Sequence, residues 1–378
     1  MFISYFSSSI YPSNKANAVH ASCQVDALTK HFNKINFYCL RKTKNKKIFL
    51  DDLKDVYDVN FKNINVISFY TSNDRFLNLK LGLYSSIYQL LFFKNFICYS
   101  RNIYSSFFLY LFGFKVYNEI HLVESGWRSL IQKKLLKSNI VHNIVISSAL
   151  KKILTKKYKL QNLRNPIKIF HDAGSFSISL KNENHNLLKK INKNATKNNF
   201  NCGYFGSIYE GRGIDVIISL AKKNPNFDFY IFHNGINNLD NSNVKNIYFS
   251  NLKFKEVKLF LSLFDVLLMP YQKSVSVAGN NYDTVKYMSP LKMFEYMLSG
   301  VPIISSNLSV LKEILINKKN SLLVSSNDVQ EWHDAINIIH NNRDFANILA
   351  KNSQNLALSQ YTWDKRAFKI LNLVYEKN

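Results

Sequence analysis

The 378 residues suffice for two domains of ordinary size, and a content of 47% hydrophobic and 14% aromatic residues excludes general disorder. The formal net charge of +25 fits nucleic acid, an anionic membrane surface or a general preference for Lys and Asn. The lysines are spread along the chain rather than gathered in a stripe, which argues against a nucleic-acid-binding protein; the general preference for Lys and Asn explains much of the charge, and the excess still suffices to draw the protein to anionic lipid.

The four cysteines, Cys23, Cys39, Cys98 and Cys202, lack C-x-x-C spacing and read as buried free thiols in a reducing compartment. The N-terminus has no basic and apolar leader pattern, and no apolar run reaches the ~18 residues of a membrane span. The nearest such run, 81–114, is broken by Lys94 and Arg101. A cytoplasmic chain that rests on a membrane without crossing it is expected.

Up to about residue 175, short runs rich in Ile, Val, Phe and Tyr alternate with longer helical periods, the pattern of a parallel sheet covered by helices. Strands are predicted at 2–7, 35–39, 64–69, 96–100, 115–119 and 144–147, with helices at 17–32, 81–93, 103–112, 127–136 and 148–156. After the first strand, Pro12-Ser13-Asn14-Lys15-Ala16-Asn17-Ala18 would let a ligand approach the backbone, and is equally a plain turn. Asn118-Glu119-Ile120-His121 ends an apolar strand and puts His121 on the carboxyl edge of the sheet, where such sheets bind ligands; a lone core histidine is the competing reading.

Residues 178–198 are polar and rich in Lys and Asn, and read as a linker between a first domain, 1–177, and a second, 199–358. The second series predicts strands at 201–206, 228–232, 246–249, 265–270 and 301–305, and helices at 214–223, 254–264 and 290–299. The fold class is therefore α/β, two tandem Rossmann-like doubly wound domains facing across a cleft.

Gly206-Ser207-Ile208-Tyr209-Glu210-Gly211-Arg212-Gly213 joins a strand to a helix, where a phosphate loop would sit. It is no P-loop, because Arg212 and Gly213 replace the Lys and the hydroxyl residue, and it lacks the G-x-G-x-x-G of a dinucleotide fold. Arg212 could grip a diphosphate bidentately, or be a surface arginine in a turn.

Ser289-Pro290-Leu291-Lys292-Met293-Phe294-Glu295 opens a helix that Gly300 and Pro302 close, with Ser289 as N-cap and Pro290 at the first helical position. The free backbone N–H groups of the first turn after Ser289, with Lys292 beside them, make an anion site that suits a phosphate. Glu295 lies on the same face one turn deeper and could accept hydrogen bonds from sugar hydroxyls; an ordinary i,i+3 ion pair with Lys292 explains the same spacing. No His, Cys, Asp or Glu group has metal-ligand spacing and no D-x-D occurs, so neither metal nor cofactor is expected.

Several segments together resemble the retaining glycosyltransferases of the GT-B fold, specifically the family 4 group (glycosyl transferases group 1) that uses nucleotide sugars. They are 204–215, Phe264-Asp265-Val266-Leu267-Leu268-Met269-Pro270-Tyr271, 289–304 and Tyr361-Thr362-Trp363. In the first domain, 12–18, the Glu119-x-His121 pair, 145–150 and His171-Asp172-Ala173-Gly174 are also similar to that family. The resemblance implies a nucleoside diphosphate sugar donor held by Gly206, Ser207, Arg212, Ser289, Pro290, Leu291, Lys292 and Glu295. It implies a role near the transferred sugar for His121, leaving-group stabilisation by Arg212 and Lys292, and acceptor contacts from Asn14, Asn17 and Glu119. Residues 359–378 would form a helix crossing back to the first domain.

Two positions depart from the family pattern. Tyr287 stands where the first of two glutamates usually does, and Ser207 where many relatives carry a second arginine. The implied reaction is sugar transfer with retained anomeric configuration to a hydroxyl of a glycan or lipid-linked acceptor, in cell-surface polysaccharide synthesis. Lys80, Tyr84, Phe92, Phe93 and Lys94 would meet a lipid-linked acceptor at the anionic inner face of the membrane. The alternatives are a nucleotide-sugar epimerase of the same fold and a sugar-nucleotide-binding protein without catalysis.

Overall fold

The computed structural model describes residues 1–13, 15–57, 59–71, 76–175, 185–193, 199–233, 244–252, 254–275 and 283–376. Asn14 and the parts 178–184 and 194–198 of the expected linker lie outside the described residues. Two compact units divide the chain: Met1–Asp172 with Trp363–Asn378, and Ala173–Thr362.

In the first unit, strands and helices alternate as β1 (Phe2–Tyr11), α1 (Ala16–Leu28), β2 (Lys34–Arg41), α2 (Lys46–Tyr57), β3 (Ile64–Tyr70), α3 (Leu77–Phe92) and β4 (Ile97–Ser100). They continue as α4 (Ile103–Leu111), β5 (Val116–Ile120), α5 (Gly126–Lys137), β6 (Val141–Val145), α6 (Ser148–Tyr158) and β7 (Lys168–Ile169). The seven strands pair in parallel in the order β3-β2-β1-β4-β5-β6-β7. Every residue of β5 and β6 is buried, the polar ones included, and Asn118 of β5 donates to Asn143 Oδ1 of β6 at 2.9 Å. Stacked rings, Phe6 on Tyr38 at 4.5 Å and Tyr5 on Tyr99 at 5.3 Å, fill the space around β1.

The second unit contains α7 (His185–Lys189), β8 (Phe200–Phe205), α8 (Ile214–Lys223), β9 (Phe227–Phe232), β10 (Ile247–Ser250), α9 (Phe254–Leu261) and β11 (Val266–Met269). After these come α10 (Leu291–Leu298), β12 (Ile303–Ser306), β13 (Leu322–Val324), α11 (Val329–Asn341) and α12 (Arg343–Gln360). Its six parallel strands run β10-β9-β8-β11-β12-β13, and the fully buried Trp332 of α11 lies in the core on one face. The last helix, α13 (Trp363–Tyr375), belongs to the first unit and packs on α1.

In both sheets the strand order reverses, between β1 and β4 and between β8 and β11, so a ligand crevice opens at the carboxyl ends there. Three expected boundaries shift for local reasons. Pro290, with ψ of 123°, holds the cap position of α10 in place of Ser289, so the helix starts at Leu291. Ser147 leaves the strand to accept from the Leu150 N–H at 3.0 Å and cap α6, which moves β6 to an earlier start and end. Thr29 closes the last turn of α1 through its hydroxyl on the Asp26 carbonyl, so that helix stops at Leu28.

Candidate active site

The second unit builds a cationic pocket wall from three segments. β8 leads into the Gly206–Gly213 loop, β11 into Pro270-Tyr271, and the turn before α10 into Leu291 and Lys292. A Cβ on Gly206 would lie 2.7 Å from the Lys292 Nζ, so only glycine lets that ammonium come against the loop. Gly213, at φ +76°, sits where a Cβ would run into the Pro270 carbonyl oxygen. That close approach pulls the loop onto the end of β11 and carries Arg212 over the Tyr271 ring, 5.3 Å from its centroid.

Lys292 Nζ stands 4.1 Å from the Tyr204 ring centroid and 4.9 Å from that of Tyr271. Arg212 and Lys292 therefore share one aromatic ring. The Tyr204 hydroxyl donates to the Ser207 carbonyl at 2.6 Å, and the Phe205 N–H donates to the Tyr296 hydroxyl at 2.8 Å, tying α10 to the end of β8. The Arg212 Nε is buried and has no hydrogen-bond partner among the described residues.

Burial, reinforced by Arg212, pushes the Lys292 ammonium well below its usual pKa, against the opposing pull of Glu295. Burial also raises the Glu295 carboxyl to about 7, against the opposing effect of Lys258 and Lys292. A cationic wall backed by uncharged rings is what an incoming dianion would stabilise. Ser289 and Pro290 precede the first turn of α10, and Tyr287, at the position of the missing glutamate, is buried.

The first unit holds a second, separate cluster around Glu119. This carboxylate sits at the end of β5 with a side chain 0% exposed, and its Oε1 lies 2.5 Å from His121 Nε2, 3.0 Å from Arg366 Nη2, and 3.4 Å from both Arg101 Nε and His20 Nε2. Its Oε2 accepts from the Tyr99 hydroxyl. His20 Nε2 is also 3.1 Å from Asp172 Oδ1.

Burial alone would raise Glu119, but Arg366, His20, His121 and Arg101 together hold it well below the usual carboxylate range. Burial and then Arg101 lower His121 to about 4 and His20 well below its usual value. Asp172 is raised to about 7 by burial.

Glu119, expected on the acceptor side, is surrounded by two guanidiniums and two imidazoles and is engaged in internal pairing, with His121 against it. His121 is 22% exposed in its side chain, with Nε2 on Glu119 and Nδ1 3.3 Å from Arg101 Nη2. Asn17 is exposed at the start of α1, and its carbonyl accepts from Arg101 Nη1 at 3.2 Å. Within the second unit the predicted residues Gly206, Ser207, Arg212 and Lys292 converge, with Glu295 a turn beyond.

Six residues absent from the expected site belong to these clusters: Tyr204 and Tyr271 in one, His20, Arg101, Asp172 and Arg366 in the other. Ligand atoms of His20, Glu119, His121 and Asp172 lie within 4.8 Å of one another, a grouping that no sequence spacing reveals because three separate segments supply it. Arg101 and Arg366 already occupy the carboxylate that a cation would need, so the set fits an ion-pair network better than a metal centre.

On α3, Tyr84, Leu91 and Phe92 are 54%, 65% and 62% exposed beside the exposed Lys80 and Lys94, whereas Phe93 is half-buried against Phe96. No helix among the described residues is long and apolar enough to cross a membrane.

Two parallel doubly wound sheets with these loops define the GT-B class of glycosyltransferase fold. Residues 200–342 match the family model described as Glycosyl transferases group 1. The chain is similar to a glycosyltransferase from Rickettsia africae ESF-5 (13% identity, 100% of this chain and 99% of that one, TM-score 0.73). It is also similar to sucrose-phosphate synthase (tll1590) from Thermosynechococcus elongatus (12% identity, 99% and 98%, TM-score 0.71) and to Anabaena Alr3699/HepE in complex with UDP-glucose (14% identity, 100% of each, TM-score 0.69). At such identities the likeness is one of fold. A comparison with curated protein sequences gives no match.

Proposed function

We propose that this protein is a retaining glycosyltransferase that moves a sugar from a nucleoside diphosphate sugar to a hydroxyl of a glycan or lipid-linked acceptor, in cell-surface polysaccharide synthesis. The observation that carries this reading is the convergence of Arg212 and Lys292 on Tyr271 beside Gly206, at the switch point of the second sheet. The family match over 200–342 and the fold shared with a UDP-glucose-bound structure support it.

As the glycosidic oxygen leaves, negative charge grows on the diphosphate. Arg212, Lys292 and the first N–H groups of α10 then stabilise the transition state more than the ground state. Glu295, one turn along α10, accepts from the ribose hydroxyls once ionised. With Ser207 in place of a second arginine, Lys292, whose Nζ comes against Gly206, supplies that missing charge. The acceptor binds to the first unit, where His121 lies just beyond β5 and Asn17 at the start of α1, and where the apolar and basic face of α3 rests on anionic lipid.

Donor turnover without acceptor tests the reading. Each common UDP-, GDP- and ADP-sugar is incubated with the wild-type protein, Arg212→Ala and Lys292→Ala, and nucleotide release is followed together with the proton NMR of the freed sugar. Slow release of an unchanged sugar in its α or β form, reduced ~100-fold or more in each variant, is expected. Conversion to a different sugar would mean an epimerase, and binding without release a non-catalytic protein.

A further inference from the structure

Arg366 is among the largest fully buried side chains of the protein, at 2% exposure, and it sits on the apolar face of α13 with Trp363, Ala367 and Ile370. Each guanidinium nitrogen has its own anchor. Nη1 donates to Gln24 Oε1 of α1 at 2.6 Å, Nε donates to the His171 carbonyl at 3.0 Å, and Nη2 lies 3.0 Å from Glu119 Oε1. Glu119 Oε1 is in turn 2.5 Å from His121 Nε2. A buried charge that served only to hold α13 would be costly to desolvate and is replaceable by an apolar side chain.

We propose that Arg366 is a positioning residue for His121: acting through Glu119, the last helix of the chain fixes the tautomer and orientation of that imidazole. His121 Nε2 lies 2.5 Å from Glu119 Oε1 and 3.1 Å from Arg101 Nε, and its Nδ1 lies 3.3 Å from Arg101 Nη2; with the carboxylate held ionised, the tautomer that donates Nε2–H across the shorter contact leaves Nδ1 to accept from Arg101, and the ring stays neutral. The groups facing His121 are Glu119 of its own strand, Arg101 after β4, His20 of α1 with its ring centroid 5.2 Å away, and Arg366 of α13. Asp172, against His20, completes the set. The functional meaning rests on the glycosyltransferase reading, in which His121 faces the transferred sugar; the geometric claim does not.

The test is the imidazole titration of His121 by long-range proton–nitrogen NMR on the full-length protein, assigned with His121→Asn and needing no donor or acceptor. In the wild type the ring stays neutral as the pH falls well below the usual histidine range. Arg366→Gln removes a like charge, so its midpoint should rise by about one unit or more, a tenfold change in the ratio of the two forms. Arg366→Lys, which keeps the charge and loses the three-way anchoring, should leave the ring neutral with a changed Nε2–H resonance. Gln24→Met frees one anchor at smaller cost to folding and should shift that resonance in the same sense. Unchanged His121 signals in Gln24→Met and in whichever Arg366 variant folds would reduce Arg366 to a purely structural residue. That result would leave donor binding in the second unit untouched.

Discussion

Lys292 holds its ammonium over the rings of Tyr204 and Tyr271, at 4.1 Å and 4.9 Å from their centroids. The rings lower the cost of burying the cation without neutralising it, because the quadrupole of a ring face is a weaker partner than a carboxylate. Burial still pulls the ammonium well below its usual pKa, and a bound diphosphate would favour its charged form. Lys292→Met retains most of the packing and relieves a buried charge, so the unliganded protein should be as stable as the wild type or slightly more so in urea denaturation. Its affinity for a nucleoside diphosphate should drop by at least ~10-fold, as expected for loss of a hydrogen bond to a charged group.

Glu295 gives the donor site a pH dependence. Its folded pKa, raised to about 7 by burial, lies above the usual 4.5. The unliganded protein therefore loses the contribution of this group as the pH rises through that window, since deprotonation is easier in the unfolded chain. Binding has the opposite sign, because ribose hydroxyls need the ionised acceptor. Calorimetric titration should give weaker nucleotide affinity below neutrality, approaching tenfold per pH unit at the limit, and Glu295→Gln should flatten the profile.

Removing Glu119 strands Arg101 and Arg366 in the interior. Glu119→Ala should destabilise the protein by about 3–5 kcal/mol, the usual cost of breaking a buried pair, as measured by chemical denaturation. Histidine protonation acts on the same cluster. His121, lowered to about 4 from an ordinary 6.5, favours folding above 6.5 and loses that contribution as the pH falls toward 4. His121→Asn should lessen the acid sensitivity over that interval.

Much of this was legible in the chain. The αβ alternation located both sheets because fully buried parallel strands appear as apolar runs, and the Ser-Pro-Leu-Lys and Gly-x-x-x-x-Gly-Arg-Gly segments placed Arg212 and Lys292 at strand and helix ends. The Glu119 network was not legible, because its members come from α1, β4, β5, α13 and the segment after β7 and meet only once the sheet forms. Arg366 did carry a signal: it interrupts the apolar stripe of α13, where a charge must find a buried partner. The helices α11 and α12 had readable starts in Asp328 and Asn342, whose side chains accept from first-turn N–H groups. Their polar faces hid the apolar period.

The α3 face should bind membranes through both apolar and electrostatic contacts. Flotation with vesicles containing anionic lipid should recover the protein at low salt and release it as salt rises, at about 1 kcal/mol per basic residue near the surface. Leu91→Asp with Phe92→Asp should abolish recovery and leave nucleotide binding intact. Equal recovery with neutral vesicles would assign the contact to apolar burial alone.

Thermal stability against UDP, GDP and ADP is the direct test of a diphosphate site formed by Arg212 and Lys292. A ligand at a hundred times its dissociation constant adds about 2.7 kcal/mol, enough for a clear rise in Tm. A rise with one of these nucleotides, lost in both Arg212→Ala and Lys292→Ala, is expected. No rise with any of them, or a rise that survives in both variants, would contradict it.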